Sequence, residues 1–375
     1  MKAPVRNFII RDAAGTREAE TLVLGRGVPL SVTAGGLPEL ATTRVGETQL
    51  MPSGGDDTQP IRDALATGLD VRLGPGTFTL TDTITLGAGG KGQRLTGSGT
   101  RRTHVRIAAA GITAIAIASG HSGVEALRLD GVSGGTGIRA TSVGPLTLRD
   151  LLIGGRETGV HLENVTGCEV SGVDLSMSSL YGLYARNISR TTLRNVAVYY
   201  ADTTGIHIEN GRGVTCESIH VDEGFAYGIY LSGGGGYRLA GVYAVLCQTA
   251  VAITGATGAT AAESLILANC STGILVDQSR DVTLNACHMV WPREALVVLS
   301  SENVVAGGIR SDTTGTVAGF LRHVRVASSA GVFVTGMQVT GSGTVDVSQA
   351  GSRVLFGPNN FNPASIVSGG NFAQL

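Results

Sequence analysis

Gly205-Ile206-His207-Ile208-Glu209-Asn210 is one copy of a phrase that recurs every 22 to 24 residues along this chain. Each copy has a small residue followed by alternating apolar and polar residues. The copies begin at Gly137, Gly159, Gly182, Gly205, Gly228, Ala250, Gly273 and Ala295. Alternation with period two indicates a β-strand with one buried face. A single coil of such strands cannot bury that face alone, so the repeat predicts coils stacked around a shared core.

A second phrase runs in step with the first and has apolar residues at positions i, i+3 and i+5, as in Leu193, Val196 and Val198. Each coil of about 23 residues therefore holds at least two short strands. The pattern predicts an all-β parallel solenoid. Asn164, Asn187 and Asn210 close the same turn of three coils, where we expect a ladder of amide hydrogen bonds.

A short helix is predicted before the first coils, where it would cover the open end of the solenoid. In the segment 57–68, Asp57 or Thr58 suits the N-cap and Pro60 suits the first turn. Gly68 suits the end of the helix. The expected helix covers about residues 58–66.

The same region resembles the opening of pectate-lyase-like right-handed parallel β-helices, and the version in phage tailspikes and related head or tail appendages is the most similar. The resemblance rests on Gly55-Asp56-Asp57-Thr58 with the helix after it, on residues 71–80 and 84–86, and on Leu95-Thr96-Gly97-Ser98-Gly99. It implies a right-handed β-helix and, from the spikes, three-fold symmetry. The superfamily includes lyases, hydrolases, epimerases and binding spikes, so the resemblance specifies the scaffold and leaves the activity open.

We expect three zones. Residues 1–52 would be an N-terminal segment for oligomerisation and attachment to the head or tail protein of a particle. Residues 53–345 would form the capped β-helix, and residues 346–375 a short C-terminal tail.

Composition excludes several classes of protein. The net charge is −1 and the basic residues form no cluster, which argues against a nucleic-acid partner. The first residues lead into no long apolar stretch, so neither a signal peptide nor insertion into a membrane is expected. This fits a protein made in the bacterial cytoplasm and carried on a virion or phage-like particle. No clustered aspartates suggest a metal site, and no cofactor is expected.

All eight tyrosines lie between residues 181 and 243, on coils whose outward positions are polar or aromatic. Tyrosine can stack on the C–H face of a sugar while its hydroxyl bonds to ring substituents. Packing in turns or between subunits is the alternative explanation. The candidate carbohydrate-binding residues are Tyr184, Tyr199, Tyr200, His207, Tyr227, Tyr230 and Tyr243.

Carboxylates accompany these rings, and two acids at a suitable separation can hydrolyse a glycosidic bond. A tyrosine or histidine with an arginine could instead abstract a sugar proton in a lyase or epimerase. Charged residues on a solenoid can equally serve solvation alone. The candidate catalytic acids are Asp202, Glu209, Asp222 and Glu223.

The leading hypothesis is a receptor-binding spike of a phage or phage-like particle that binds bacterial surface polysaccharide, with sugar affinity in coils 181–243. One alternative is a soluble polysaccharide lyase, glycoside hydrolase or epimerase. Another is a structural appendage that binds no glycan. A homotrimer is expected because outward apolar positions would otherwise form an exposed patch. Those positions are Ala252, Ile266, Leu275, Val297 and Leu299.

Overall fold

The structure is a computed structural model. It describes residues 6–12, 15–21, 47–224, 226–313, 322–340, 344–348, 353–356, 366–368 and 371–374. Near the N-terminus, β1 (Arg6–Asp12) and β2 (Gly15–Thr21) form an antiparallel hairpin. Most of the expected attachment segment lies outside the described residues, so its role stays a prediction.

The strands from Glu47 onward run parallel to their partners and form two sheets along a solenoid. One, the short-strand sheet, consists of β6 (Ile84–Leu86), β9 (Ile115–Ile117), β11 (Thr136–Thr141), β13 (Thr158–Glu163), β15 (Tyr181–Arg186), β17 (Thr204–Glu209), β19 (Tyr227–Ser232), β21 (Thr249–Thr254), β24 (Thr272–Asp277), β27 (Glu294–Leu299), β30 (Arg322–Ala327), β33 (Thr344–Ser348) and β35 (Ile366–Ser368).

The other, the long-strand sheet, contains strands that bend halfway or are divided in two. It consists of β3 (Glu47–Leu50), β4 (Asp70–Leu73), β5 (Gly76–Leu80), β7 (Arg94–Thr96), β8 (Thr103–Ile107), β10 (Ser122–Gly131), β12 (Leu146–Gly154), β14 (Cys168–Ser178), β16 (Ser189–Ala201), β18 (Arg212–Gly224), β20 (Gly235–Val245), β22 (Thr260–Glu263), β23 (Ile266–Ala268), β25 (Arg280–Asn285), β26 (His288–Val290), β28 (Glu302–Gly307), β29 (Arg310–Asp312), β31 (Ala330–Thr335), β32 (Gln338–Thr340), β34 (Arg353–Phe356) and β36 (Asn371–Gln374).

The bend of the long strands explains the spacing of the second sequence phrase. In β16, Asn195 has a left-handed backbone with φ 51°, which inserts one extra outward residue between Leu193 and Val196. Both apolar side chains therefore point inward and are buried. The parallel fold of about twelve coils is confirmed, and one continuous apolar core runs through it.

The cap helix, α1 (Thr58–Ala66), has the predicted bounds. Its N-terminus differs from the expectation, because Asp57 occupies the N-cap but makes no side-chain capping bond. The Asp57 carboxylate instead accepts the backbone N–H groups of Ser53 at 2.8 Å and Thr79 at 2.9 Å. Asp56 accepts the Thr58 N–H at 3.0 Å, and its hydrogen bonds, chiefly from the Thr58 hydroxyl, lower its pKa to about 2. The Asp-Asp pair thus fastens the cap to the first coil.

The asparagine ladder has the predicted form. The Asn187 amide donates to Asn164 Oδ1 at 3.0 Å, and the Asn210 amide donates to Asn187 Oδ1 at 3.3 Å. The stack extends beyond the predicted boundaries, however. Parallel pairing begins at β3 (Glu47–Leu50), before residue 53, and continues to β36 (Asn371–Gln374), after residue 345.

The apolar patch that motivated the trimer is smaller than expected. Ala252 and Val297 face outward on the short-strand sheet, yet they are 0% and 3% exposed in the single chain. Leu275 and Leu299 are half-buried. Ile266 is the most exposed of the five, at 47%, so the case for a trimer rests mainly on the resemblance to spikes.

Candidate functional site

The structure divides the candidate residues between two surfaces. We call the first the aromatic ladder; it lies on the outer face of the short-strand sheet and comprises Tyr181, Tyr184, His207, Tyr227 and Tyr230, with Glu209 at its edge. We call the second the corner face; it lies where the long strands end and comprises Tyr199, Tyr200, His220 and Tyr243 with Asp202, Asp222 and Glu223.

The ladder is a stack of rings held at the spacing of the coils. Tyr184, His207 and Tyr230 occupy one column of paired positions in β15, β17 and β19. Their ring centroids lie 5.2 Å and 4.6 Å apart. Tyr181 stacks on Tyr184 at 5.1 Å, and Tyr227 stacks on Tyr230 at 4.6 Å. The rings therefore cover much of one another, which leaves little free ring face for a sugar.

The polar atoms of the ladder are also engaged. The Tyr184 hydroxyl donates to Glu209 Oε2 at 2.7 Å, and Arg186 Nε lies 3.5 Å from Glu209 Oε1. The Tyr230 hydroxyl accepts from Thr254 at 3.1 Å. His207 Nε2 lies 3.1 Å from the hydroxyl of Ser232 in the next coil. Each bond joins neighbouring coils, as expected of a structural element.

Burial makes the ladder a poor source of base chemistry. Desolvation, followed by the hydrogen bond to Glu209, raises the pKa of Tyr184 to about 12. A tyrosine that abstracts a sugar proton must first lose its own, which this environment opposes. Burial also lowers the pKa values of His207 and His161. Tyr184 is thereby held in its protonated form, and the two imidazoles are weaker proton acceptors than an exposed histidine.

The corner face has more exposed rings and fewer internal contacts. Tyr199 lies against His220 with centroids 5.4 Å apart, and His220 meets Tyr243 edge-on at 5.0 Å. Tyr243 is 40% exposed and Tyr200 is 55% exposed. Neither hydroxyl bonds to another described residue, and His220 Nε2 also has no such partner. Free ring faces and free polar atoms thus coincide on this surface.

A strained column forms the edge of the corner face. In six successive coils the residue two positions after the last inward apolar residue of the long-strand sheet has a left-handed backbone, with φ between 53° and 61°. These residues are Met177, Tyr200, Glu223, Leu246, Asn269 and Trp291. Such a backbone costs roughly 1–2 kcal/mol for most residues other than Gly, Asn or Asp. The large apolar residues with this backbone in the described chain all lie in this column, and each is 46% to 65% exposed.

The four candidate acids do not form one cluster. Glu209 belongs to the ladder and is engaged by Tyr184 and Arg186. Asp222 pairs in register with Tyr199 on the long-strand sheet, and Glu223 and Asp202 follow at the corner. The side chains of these three acids make neither a hydrogen bond nor an ion pair with another described residue. Phe225, which follows Gly224 in the sequence, lies outside the described residues.

Part of the edge of the corner face was not predicted from the sequence. Met177, Leu246 and Trp291 were not singled out, although each stands one or more periods from Tyr200. Their shared position after the last apolar residue of the second strand is the signal that could have identified them. Tyr237, by contrast, belongs to the core: it is 2% exposed, and its hydroxyl accepts from Gly211 N–H and donates to Gly233 O at 2.8 Å each.

An open groove of about 960 Å³ lies at the opposite corner, around Asn210, Arg212 and the glycines 233–235. Close approach of neighbouring coils requires these glycines, since a Cβ on Gly234 would lie 2.2 Å from Gly211 O. None of the candidate residues lines the groove. It is explained by the packing of the backbone.

The described part of the chain shows neither a metal-binding cluster nor a helix that could span a membrane. No group of three or more His, Cys, Asp or Glu side chains there is arranged to hold a metal ion. The described helix, α1, has nine residues, and no described helix is long and apolar enough to cross a membrane.

Comparison with known proteins gives the same fold. Residues 94–248 match the family model described as "Right handed beta helix region". No curated protein sequence matches the chain. Solved structures that do match include PfbA, a surface adhesin of Streptococcus pneumoniae (11% identity, 83% of this chain and 90% of that chain, TM-score 0.57).

Two further similar structures are the Dettilon tailspike protein (15% identity, 87% of this chain and 68% of that chain, TM-score 0.51) and the catalytic domain of a GH87 α-1,3-glucanase in complex with nigerose (11% identity, 96% and 74%, TM-score 0.50). At these identities the likeness concerns the fold alone. The expected resemblance to right-handed β-helices, tailspikes among them, is confirmed at that level. This chain therefore has the right-handed parallel β-helix fold.

Proposed function

We propose that this protein is a receptor-binding spike of a phage or phage-like particle and that it binds bacterial surface polysaccharide through the corner face. The observation that carries the proposal is the exposure of Tyr200 and Tyr243 beside unengaged carboxylates. Sugar-binding surfaces need open ring faces and free hydrogen-bonding atoms together.

The strained backbone of the corner supports the same assignment. Left-handed conformations at bulky residues are retained where the surrounding structure or a function demands them. From Met177 to Trp291 the column covers five coil steps, or about 24 Å at ~4.8 Å per coil. An extended glycan lying parallel to the solenoid axis would contact successive coils of this column.

The similar structures are compatible with this function. One is a tailspike protein, one is a surface adhesin, and one is a glucanase in complex with nigerose. Their low identities mean that the proposal rests on the corner face itself.

Binding is tested on an array of purified bacterial surface polysaccharides. We expect the wild type to retain at least one polysaccharide and Tyr200→Ala to lose most of that binding. Arg72→Ala, a change on the distant strand β4, is the matched surface control and should bind like the wild type. If no polysaccharide binds, the chain is better described as a structural appendage.

A polysaccharide-degrading enzyme is the second candidate, because Asp202, Asp222 and Glu223 lie unengaged at the aromatic surface. Hydrolysis needs two carboxyl groups about 5–9.5 Å apart, one of them protonated. The test incubates a bound polysaccharide with wild type and with Asp222→Asn/Glu223→Gln and follows fragment size and new reducing or unsaturated ends. If the wild type releases fragments and the variant does not, the protein is a hydrolase or lyase. If the wild type binds the polysaccharide without releasing fragments, it is a spike that does not cleave its receptor.

Assembly as a homotrimer attached through residues 1–52 completes the proposal. Light scattering on the full chain at micromolar concentration should give three times the mass of one chain. A monomer would favour the soluble enzyme instead.

A further inference from the structure

The charge of the corner face bears on the chemical class of its ligand. Asp202, Asp222 and Glu223 contribute three carboxylates to two neighbouring coils, and none is within ion-pair distance of a described basic side chain. The neighbouring acids of the short-strand sheet differ. Glu209 lies 3.5 Å from Arg186, and Glu163 lies 3.8 Å from Arg139.

Lysine and arginine are absent from the part of the corner that carries these three acids. The described segments that build the corner in four successive coils hold neither lysine nor arginine. They are residues 174–180, 197–204, 220–224 with 226–227, and 243–249. His220, between Tyr199 and Tyr243, is the basic side chain nearest in register. A ligand that covers this surface therefore meets a negative potential.

We propose that the corner face binds a neutral or amino-sugar polysaccharide and discriminates against polysaccharides that carry uronate, sulfate or phosphate. This inference rests on the proposed function, because it names the class of glycan at the same surface. Carboxylates accept hydrogen bonds from sugar hydroxyl groups and form charge-assisted bonds with ammonium groups. An anionic sugar would bring like charges together on a surface from which water is partly removed.

The aromatic residues favour a glycan over a protein partner at the centre of the face. Tyr200 and Tyr243 offer ring faces flanked by hydrogen-bond acceptors at the ends of strands β16, β18 and β20. A protein docking there would bury three carboxylates without a counter-charge from this chain, unless its own surface supplied cations. If the protein binds cells stripped of polysaccharide as well as intact cells, the glycan inference is overturned.

The first experiment compares ligands of different charge on the array of bacterial polysaccharides. Wild-type protein should retain neutral or amino-sugar polymers and should bind polymers with an acidic group in every repeat at least about tenfold more weakly. Placing like charges opposite each other costs more free energy than a tenfold change in affinity represents. A strongest ligand with an acid in every repeat would overturn the inference. If Tyr200→Ala still lost most of that binding, the proposed function would stand while the inference fell.

The second experiment removes the charge. Asp222→Asn/Glu223→Gln should narrow the gap in binding affinity between neutral and acidic polymers. Glu169→Gln/Glu217→Gln is the matched control, because it removes two carboxylates from the first halves of β14 and β18, away from the corner. It should leave the gap as in the wild type. If both double variants narrow the gap equally, total charge rather than the corner sets the selectivity, and the inference fails.

Discussion

The aromatic ladder and the corner face are built from the same kinds of residue on the same coils, yet they have opposite physical characters. In the ladder, Tyr184 and Tyr230 stack on neighbouring rings and their hydroxyls are bonded. At the corner, Tyr200 is more than half exposed on a left-handed backbone. The difference teaches that ring stacking between coils stabilises a solenoid, whereas rings left open at a strained position are available to a ligand.

The largest expected effect concerns stability in the ladder. Tyr184→Ala removes a ring that contacts Tyr181 and His207, at about 0.5–1.5 kcal/mol per aromatic contact. We expect the free energy of unfolding to fall by about 2 kcal/mol. Urea denaturation measures it, with Tyr243→Ala as the matched control on the corner.

Tyr243→Ala should lower the free energy of unfolding clearly less, because Tyr243 is 40% exposed and His220 is the one described aromatic ring that it contacts. If both variants lost the same free energy of unfolding, the ladder would not be the more structural of the two surfaces.

A second prediction is that one substitution, Tyr200→Gly, raises the stability of the protein but weakens its binding of polysaccharide. Tyr200→Gly relieves the left-handed strain, so the free energy of unfolding should rise by about 0.5–1 kcal/mol after the entropy of glycine is counted. Loss of the ring should weaken polysaccharide binding by about fivefold. Denaturation and titration of the same sample provide both values.

Asn195→Gly is the control for the second prediction, since Asn tolerates the left-handed backbone at the bend. It should gain less stability than Tyr200→Gly and bind normally. A variant Tyr200→Gly that is less stable than the wild type would show that Tyr200 is held by packing.

The smallest expected effect is a dependence on pH in the ladder. Burial holds the pKa of His207 below its ordinary value of 6.5, so the unfolded chain binds the proton more readily than the folded chain. The stability from this group is present above pH 6.5 and is lost as the pH falls toward the folded pKa. His207→Phe keeps a ring in the stack and should make the decline below pH 6.5 shallower. An unchanged decline would place the titration elsewhere, for example at His161.

The sequence predicted the solenoid well because its core obeys a strict register. The period of about 23 residues alone brings Tyr184, His207 and Tyr230 into one column, and the observed strand pairing has this register. The cap helix was predicted at its observed bounds. These features follow from local alternation and spacing, which a sequence carries directly.

The functional surfaces were harder to predict, because exposure depends on where each strand bends. Tyr200 and Tyr230 both occupy the tyrosine-rich coils, but Tyr230 is stacked on Tyr227 and hydrogen-bonded, whereas Tyr200 is 55% exposed. Ala252 and Val297 face outward and are nevertheless covered. The left-handed backbone of Tyr200, Leu246 and Trp291 carries no marker such as glycine, so the strained column became visible only in three dimensions.

The central claim, that the corner face rather than the ladder binds the glycan, is tested most directly by one titration. A polysaccharide retained on the array is titrated into Tyr200→Ala/Tyr243→Ala and into Tyr184→Phe/Tyr230→Phe, which keeps the ladder rings and removes their hydroxyls. We predict that the corner variant loses most of its affinity and that the ladder variant binds as the wild type does. Retained binding by the corner variant with loss in the ladder variant would contradict the account.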